Sequence, residues 1–185
     1  MHSIFLKCAK IMYSCLLIAQ IIIKSCIIIA GEIMRVLIQR VSHASCKVDG
    51  EYTGKIEKGY LLFVGITHDD NEKIIDLMAD KIINLRINED ENGKMNLNIQ
   101  DVKGDILSIS QFTLYANCIK GRRPGFEQSA NKDKALDLYL KFNQVLRDKG
   151  MKVEEGIFGA DMKIELLNDG PVTIMLDSEV IFNGK

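Results

Sequence analysis

The order of strand-like and helix-like segments after residue 33 is the feature that most constrains how this chain can fold. Asp49-Gly50 separates the stretches 45–48 and 51–56, a pattern that predicts a β-hairpin. Further strand-like stretches are predicted at 36–41, 60–66, 105–110, 112–115, 163–167 and 172–176. The last two are joined by Asn168-Asp169-Gly170-Pro171, which on its own reads as a tight hairpin turn.

Only two amphipathic helices accompany these strands. Residues 71–85 carry apolar side chains at helical spacing, and Asp69, Asp70 or Asn71 is placed to cap the helix start. Residues 133–149 repeat the pattern, with Gly150 just beyond the end. Strands outnumber helices and do not alternate with them regularly. We therefore expect an α+β fold, with a largely antiparallel β-sheet or barrel and two main helices.

Residues 1–33 differ from the rest of the chain. They are strongly apolar, with two isoleucine triplets and only four charged residues, which are Lys7, Lys10, Lys24 and Glu32. Lys24 interrupts the apolar run before the roughly 20 residues that a membrane span needs. Three interpretations compete: a start site assigned too early, a membrane anchor, and a cleaved targeting peptide. We favour translation from Met34, because a strand pattern opens there, and we expect one domain over 34–185.

Charge and cysteine content limit the classes of function. The chain has 24 basic and 25 acidic residues, so no overall positive field attracts nucleic acid, and RNA binding would need a local basic patch. Its five cysteines form no C-x-x-C pair, which argues against a disulfide framework and a zinc site. Scattered reduced thiols are typical of a cytoplasmic protein, and we expect that location.

Standard catalytic motifs are missing from the sequence. His43 and His68 are the only histidines after residue 33, and neither has metal-ligand spacing. The sequence contains no H-E-x-x-H motif, Walker loop or G-x-S-x-G elbow. Asp69-Asp70 beside His68 is expected to be a solvated turn at a helix start. We therefore expect neither a metal nor a cofactor, and no ordinary serine triad.

Three short segments carry chemistry whose meaning composition alone leaves open. Ser110–Tyr115 places hydroxyls and an amide on a predicted strand, and is either a half-exposed strand or a site. Gly170-Pro171 is a bond where the cis form costs only about 0.5–1 kcal/mol, and a cis bond there makes a rigid backbone acceptor. Lys120-Gly121-Arg122-Arg123 is either a phosphate clamp or a solvated loop.

Together these segments resemble the D-aminoacyl-tRNA deacylase family, over essentially all of residues 34–185. The resemblance rests on ordered motifs at family-like spacing: 37–41 (LIQRV), 93–97 (GKMNL), 110–114 (SQFTL), 123–126 (RPGF), 158–162 (FGADM) and 168–173 (NDGPVT). Gly125 departs from the family pattern, where a polar residue is expected. The extension over 1–33 departs from it too, since the family normally begins at the equivalent of Met34.

The resemblance implies an assembly, a substrate and a site. It implies a homodimer that hydrolyses D-aminoacyl-tRNA at the acceptor end without a metal, rejecting the L-form, with glycyl-tRNA left open as a further substrate. It implies that the pocket for the terminal adenosine and the ester is lined by Ser110, Gln111, Phe112 and Thr113. Substrate binding is assigned to Gly170 and Pro171, reaching in from the partner subunit, to Arg40, which holds their turn, and to Met162. RNA phosphates are assigned to Lys120, Arg122 and Arg123.

Two mechanisms remain open for this site. In one, Thr113 is a nucleophile that forms an acyl-enzyme, although no base lies near it in the sequence. In the other, which we favour, backbone N–H groups around 111–113 stabilise the oxyanion, and the ribose 2′-hydroxyl of the substrate positions the attacking water. A catalytically silent module that binds RNA ends and a membrane-anchored interaction protein are the alternative functions.

Overall fold

The computed structural model describes residues 34–183 and has the α+β architecture that the sequence predicts. Its strands are β1 (Arg35–Val48), β2 (Glu51–Ile56), β3 (Gly59–Gly65), β4 (Asn88–Glu89), β5 (Met95–Leu97), β6 (Asp105–Ser110), β7 (Val153–Glu155) and β8 (Lys163–Asp177). Its helices are α1 (Glu72–Ile83), α2 (Lys132–Asp148) and the short α3 (Ser178–Asn183), with a 3-10 helix at Phe112–Tyr115.

β1 organises the main sheet. It pairs antiparallel with β2 and β3 along one edge and with β8 along the other. β3 then pairs parallel with β6, and β6 parallel with β7, so the sheet is mixed while most of its pairings are antiparallel. β2 curls towards β7: a Cβ atom on Gly54 would lie 3.1 Å from the carbonyl oxygen of Glu155. The path β2-β1-β3-β6-β7 therefore nearly closes into a barrel.

The predicted hairpin turn at 168–171 is wrong. The stretches on either side of it run in the same direction along β1 and form one strand, β8. Val41 pairs with Asn168 and Gln39 with Thr173, so the four residues 169–172 stand opposite Arg40 alone. The segment is thus a wide bulge in a single strand, because both of its flanks find their partner on β1.

The two long helices are confirmed near their predicted bounds. The side chains of Asn71 and Asn131 cap α1 and α2 by accepting backbone N–H groups of the first turns. Gly150, with φ +88°, follows the end of α2. Each helix buries one apolar face in the core beside the sheet, through Ile75, Met78 and Ile82 of α1 and Tyr139, Phe142 and Leu146 of α2.

The strand predicted at 112–115 is also wrong, since these residues form the 3-10 helix. β6 ends at Ser110, opposite Val64, and the chain then turns tightly around Gly65. A Cβ atom on Gly65 would lie 2.9 Å from the ring of Tyr115, so glycine permits this approach. Tyr115 is fully buried, and Arg35 lies over its ring at 4.9 Å. Packing of this ring prevails over the local strand preference.

Residues 1–33 lie outside the described part of the chain, and so do the interpretations of them as an early start, an anchor or a targeting peptide. Among residues 34–183, no helix combines the length and apolar character required to cross a membrane.

Candidate active site

The main cavity opens where β6 ends. It measures about 620 Å³ and lies between the end of β6, the start of α2 and the segment that precedes β8. Its walls are mostly apolar, and they include Val64, Ile66, Phe112, Phe126, Tyr139, Phe158 and Met162. Polar groups come from Ser110 and Gln111 at the strand end and from Ser129, Lys132 and Asp161. An apolar cavity with a few convergent polar groups is the usual form of a small-ligand site.

Of the four predicted catalytic residues, Ser110, Gln111 and Phe112 line this cavity. Thr113 lies beside it, and its hydroxyl accepts a hydrogen bond from the side-chain amide of Gln111. Within residues 34–183 the recorded partner of that hydroxyl is this amide, which is not a base. The geometry therefore supplies Thr113 with an orienting neighbour and not with a proton acceptor.

Backbone donors at the strand end fall into two groups. The N–H of Gln111 donates to the carbonyl of Val64 at 2.8 Å and is already engaged. The N–H groups of Phe112 and Thr113 lie in the first turn of the 3-10 helix, and no acceptor for either is recorded within the described chain. These two amides have no partner among residues 34–183 and remain available to a bound ligand.

Aromatic rings form the walls of the cavity mouth and floor. Phe112, which is 55% exposed, meets Phe126 edge to face with ring centroids 4.9 Å apart. The ring centroids of Tyr139 and Phe158 lie 5.9 Å apart. Such rings can flank a nucleobase by stacking. Met162 also lines the cavity, as the resemblance implies, and packs over Gly156.

Tyr139 was not predicted as a site residue. Its hydroxyl donates to the carbonyl of Ser108 at 2.8 Å, and it is 1% exposed. Burial raises the pKa of this phenol above its ordinary value, so it stays neutral and serves as a fixed donor. The spacing of apolar residues predicted which face of α2 is buried. It could not show that part of this face lines a cavity.

Arg40 holds the bulge of β8, as the resemblance implies. It is 4% exposed, and its Nε donates to the carbonyl of Asp169 at 3.2 Å and contacts that residue's carboxylate at the same distance. Its Nη1 donates to the carbonyl of Ile87 at 2.7 Å, while the Glu89 carboxylate lies 3.5 Å from Nη2. A guanidinium with several acceptors fixes the carbonyls around it.

The peptide bond between Gly170 and Pro171 is cis. Gly170 has φ +120°, and a Cβ atom there would lie 2.7 Å from Nη2 of Arg40. Asn168 donates to the carbonyl oxygens of Arg40 and Val172, which closes the bulge from the other side. Neither Gly170 nor Pro171 lines the main cavity of the same chain. The structure therefore brings Arg40, Gly170 and Pro171 together but away from Ser110–Thr113.

The basic cluster lies on the loop after the 3-10 helix. Lys120 and Arg123 line a second depression of about 370 Å³, and Arg122 is exposed nearby. Glu127 fills the space beside Gly125, where the sequence departs from the family pattern: a Cβ atom at 125 would collide with its carboxylate. Phe126 lines the main cavity, while its neighbours Gly125 and Glu127 line this depression.

Asp70 was expected in a solvated turn, and that expectation is wrong. The carboxyl group is 2% exposed and accepts the backbone N–H groups of Met34, at 2.7 Å, and Thr67, at 2.8 Å. Burial raises the pKa of this carboxyl to about 6, against the lowering effect of those two bonds. The neighbouring Asp69 remains exposed, as expected. Residues 34–183 contain no cluster of His, Cys, Asp or Glu that could hold a metal ion.

Comparison with known proteins identifies the family of this chain. The family model described as D-Tyr-tRNA(Tyr) deacylase matches residues 37–177, which include most of β1, the cavity segments and the bulge of β8. The chain belongs to the D-Tyr-tRNA(Tyr) deacylase family. It is similar to the D-aminoacyl-tRNA deacylase of Dictyoglomus turgidum, with 58% identity over 146 residues, covering 79% of this chain and 94% of the relative. The enzyme of that name from Brevibacillus brevis is 56% identical over 145 residues, covering 78% and 100%.

Solved structures agree with this family fold. One, described as the c-Myc DNA Unwinding Element Binding Protein, matches with a TM-score of 0.74 and 38% identity over 77% of this chain and 97% of its own. Another, described as a probable eukaryotic D-amino acid tRNA deacylase, matches with a TM-score of 0.70 and 19% identity over 78% and 98%. At that identity the second match supports the deacylase fold alone.

Proposed function

We propose that this member of the deacylase family hydrolyses the ester bond between a D-amino acid and the terminal ribose of tRNA. The observation that carries the proposal is the apolar cavity at the end of β6, where Ser110, Gln111 and Phe112 converge. Phe112 and Phe126 offer aromatic surfaces to the terminal adenine. The ester then lies at the strand end. A mildly acidic protein can bind tRNA in this way, because it needs only the single-stranded end.

Hydrolysis proceeds in this proposal without a protein nucleophile. The N–H groups of Phe112 and Thr113 stabilise the oxyanion that forms when water attacks the ester carbonyl. The ribose 2′-hydroxyl of the substrate positions that water. The acyl–oxygen bond breaks, the 3′-oxygen leaves with a proton, and the products are the free D-amino acid and the tRNA. The Gln111 amide, bonded to the Thr113 hydroxyl, holds this turn in shape.

Selection against L-amino acids is assigned to the bulge of β8. A filter for handedness must read the groups common to all amino acids, because a side-chain pocket separates substrates mainly by size. Rigid carbonyl groups around Gly170 can accept from the substrate ammonium group and leave no room on the L side. Since the bulge lies away from the cavity of its own chain, we propose that it enters the cavity of a second copy in a homodimer.

The loop residues Lys120, Arg122 and Arg123 are proposed to contact phosphates next to the acceptor end. Lys120 and Arg123 share one depression beside Phe126, so they can hold the backbone that leads to the terminal nucleotide. We assign the reaction to chiral proofreading in the cytoplasm.

The deciding experiment compares a matched pair of D- and L-tyrosyl-tRNA as substrates. We expect release of D-tyrosine well above the spontaneous rate and no acceleration for the L-ester. Binding of both tRNAs without acceleration of either would replace the proposal by a silent RNA-end-binding module on the same fold. Sedimentation of the purified protein tests the homodimer independently.

A further inference from the structure

Lys132 is the one cation among the residues that line the main cavity. It is the first residue of α2, and its Cε lies 4.0 Å from where a Cβ atom on Gly159 would stand. The side-chain stem therefore lies beside Gly159 in the cavity wall. Lys132 itself is exposed, so its ammonium group lies at the mouth and not at the apolar floor.

The charge of Lys132 is not neutralised within the described chain. Asp161, the one acidic residue of the cavity lining, is held instead by Lys163, whose Nζ lies 2.9 and 3.0 Å from its two carboxylate oxygens. Among residues 34–183, no hydrogen bond or ion pair is recorded for the Lys132 ammonium group. The mouth of the cavity therefore carries one uncompensated positive charge.

The location of this lysine is unfavourable for helix stability. The N-terminal end of a helix carries positive partial charge, and acidic residues are the stabilising choice in its first turn. Asp133 supplies one acidic side chain in that turn, and an anion bound at the mouth would offset the charge of Lys132 itself. The sequence pattern of α2 needs no lysine at this position for its buried face, which begins further along at Tyr139.

We infer that Lys132 binds the 5′-phosphate of the nucleotide whose base occupies the cavity. This inference rests on the proposed function, because that function places an adenosine in the cavity and its phosphate outside the apolar walls. The contact would be a charge-assisted hydrogen bond from the ammonium group to a phosphate oxygen. Lys132 is then a binding residue for the terminal nucleotide, separate from the loop cluster at 120–123.

The test measures binding of adenosine and of adenosine 5′-monophosphate to the full chain by calorimetry. For the unaltered protein we expect the phosphate to tighten binding about three- to fivefold, at the upper end of what an exposed ion pair contributes. Lys132→Met keeps the stem and removes the charge, so it should bind both ligands equally. Lys132→Arg should restore the preference. Lys141→Met is the matched control, since Lys141 lies on the same helix, pairs with Glu72 and is not part of the cavity.

Full-length substrate gives a second readout. In Lys132→Met, KM for D-tyrosyl-tRNA should rise with little change in kcat. The slope of log KM against log salt concentration should become smaller by about one, because one phosphate contact is lost. Equal affinity of the unaltered protein for adenosine and adenosine 5′-monophosphate, or no measurable binding of the monophosphate, would overturn the inference. So would an equal effect of Lys141→Met. Failure of the proposed function would show differently, as nucleotide binding without hydrolysis of D-tyrosyl-tRNA.

Discussion

At the scale of single residues, the hydroxyl of Thr113 is bonded to an amide and to no base among residues 34–183. Thr113→Ala should therefore keep at least about a tenth of the unaltered kcat for D-tyrosyl-tRNA, because it loses one hydrogen bond worth about 1 kcal/mol. Removing a true nucleophile typically lowers kcat by about four to six orders of magnitude. Single-turnover kinetics distinguish these outcomes. An acyl group trapped on Thr113, detected by mass spectrometry, would establish the nucleophile mechanism instead.

The buried carboxyl of Asp70 makes stability depend on pH. Its pKa is raised from 3.8 to about 6, so the folded state binds the proton more tightly than the unfolded state does. The contribution of Asp70 to the free energy of unfolding is therefore complete below about pH 4. It falls by up to about 3 kcal/mol as pH rises through about 6. Asp70→Asn should flatten this part of the curve, measured by urea unfolding of the full chain between pH 4 and 7.

The control for this measurement is Asp69→Asn, which changes the exposed neighbour. It should keep the slope of the unaltered protein between pH 4 and 6. If Asp70→Asn and the unaltered chain lose stability in parallel over that range, another group is responsible for the pH dependence.

At the scale of elements, the bulge of β8 depends on a glycine. Gly170→Ala places a Cβ atom 2.7 Å from Arg40 and 2.9 Å from Val172, at a φ of +120° that alanine rarely adopts. We expect a loss of about 1–3 kcal/mol in unfolding free energy and weaker rejection of the L-ester. Gly50→Ala is the control, since Gly50 has φ +88° and nothing within 4 Å of its Cβ and lies in the turn between β1 and β2. A folded, dimeric Gly170→Ala that still rejects L-tyrosyl-tRNA as before would contradict the assigned role.

Local signals predicted some elements well and others not at all. The Asp49-Gly50 hairpin and both long helices are encoded by neighbouring residues, and each lies within a residue or two of its expected place. β8 was divided wrongly, because only its partner β1, more than a hundred residues away, shows that both halves form one strand. The 3-10 helix was missed since burial of Tyr115 against Gly65 is a tertiary effect.

The candidate site was predicted in the same uneven way. Motif resemblance pointed to Ser110, Gln111 and Phe112, and the structure places these three in one cavity. The resemblance did not indicate Tyr139 or Lys132, because α2 reaches the cavity only once it packs against the end of β6. The burial of Asp70 likewise depends on Met34, which is distant in sequence.

At the scale of the whole molecule, residues 34–185 should be sufficient for folding and activity. All matched motifs and all described contacts of the site lie after Met34, and the family match begins at 37. A chain that starts at Met34 would also place its terminal ammonium group at the buried carboxyl of Asp70, 2.7 Å away. We expect kcat and KM for D-tyrosyl-tRNA equal to those of the full chain. A folded 34–185 protein without activity would give residues 1–33 a role in the site.

The pairing of β1 with β8 can form only late in synthesis. β1 is among the first strands to leave the ribosome and β8 is the last. Arg40 therefore has no contact with the bulge until β8 has been synthesised. Closing a loop of this length is entropically costly and slows folding. A nascent chain therefore carries β1 with one edge open. The bulge forms only after nearly the whole chain has emerged, so a ribosome-bound fragment that ends before β8 lacks the segment to which we assign selection against L-amino acids.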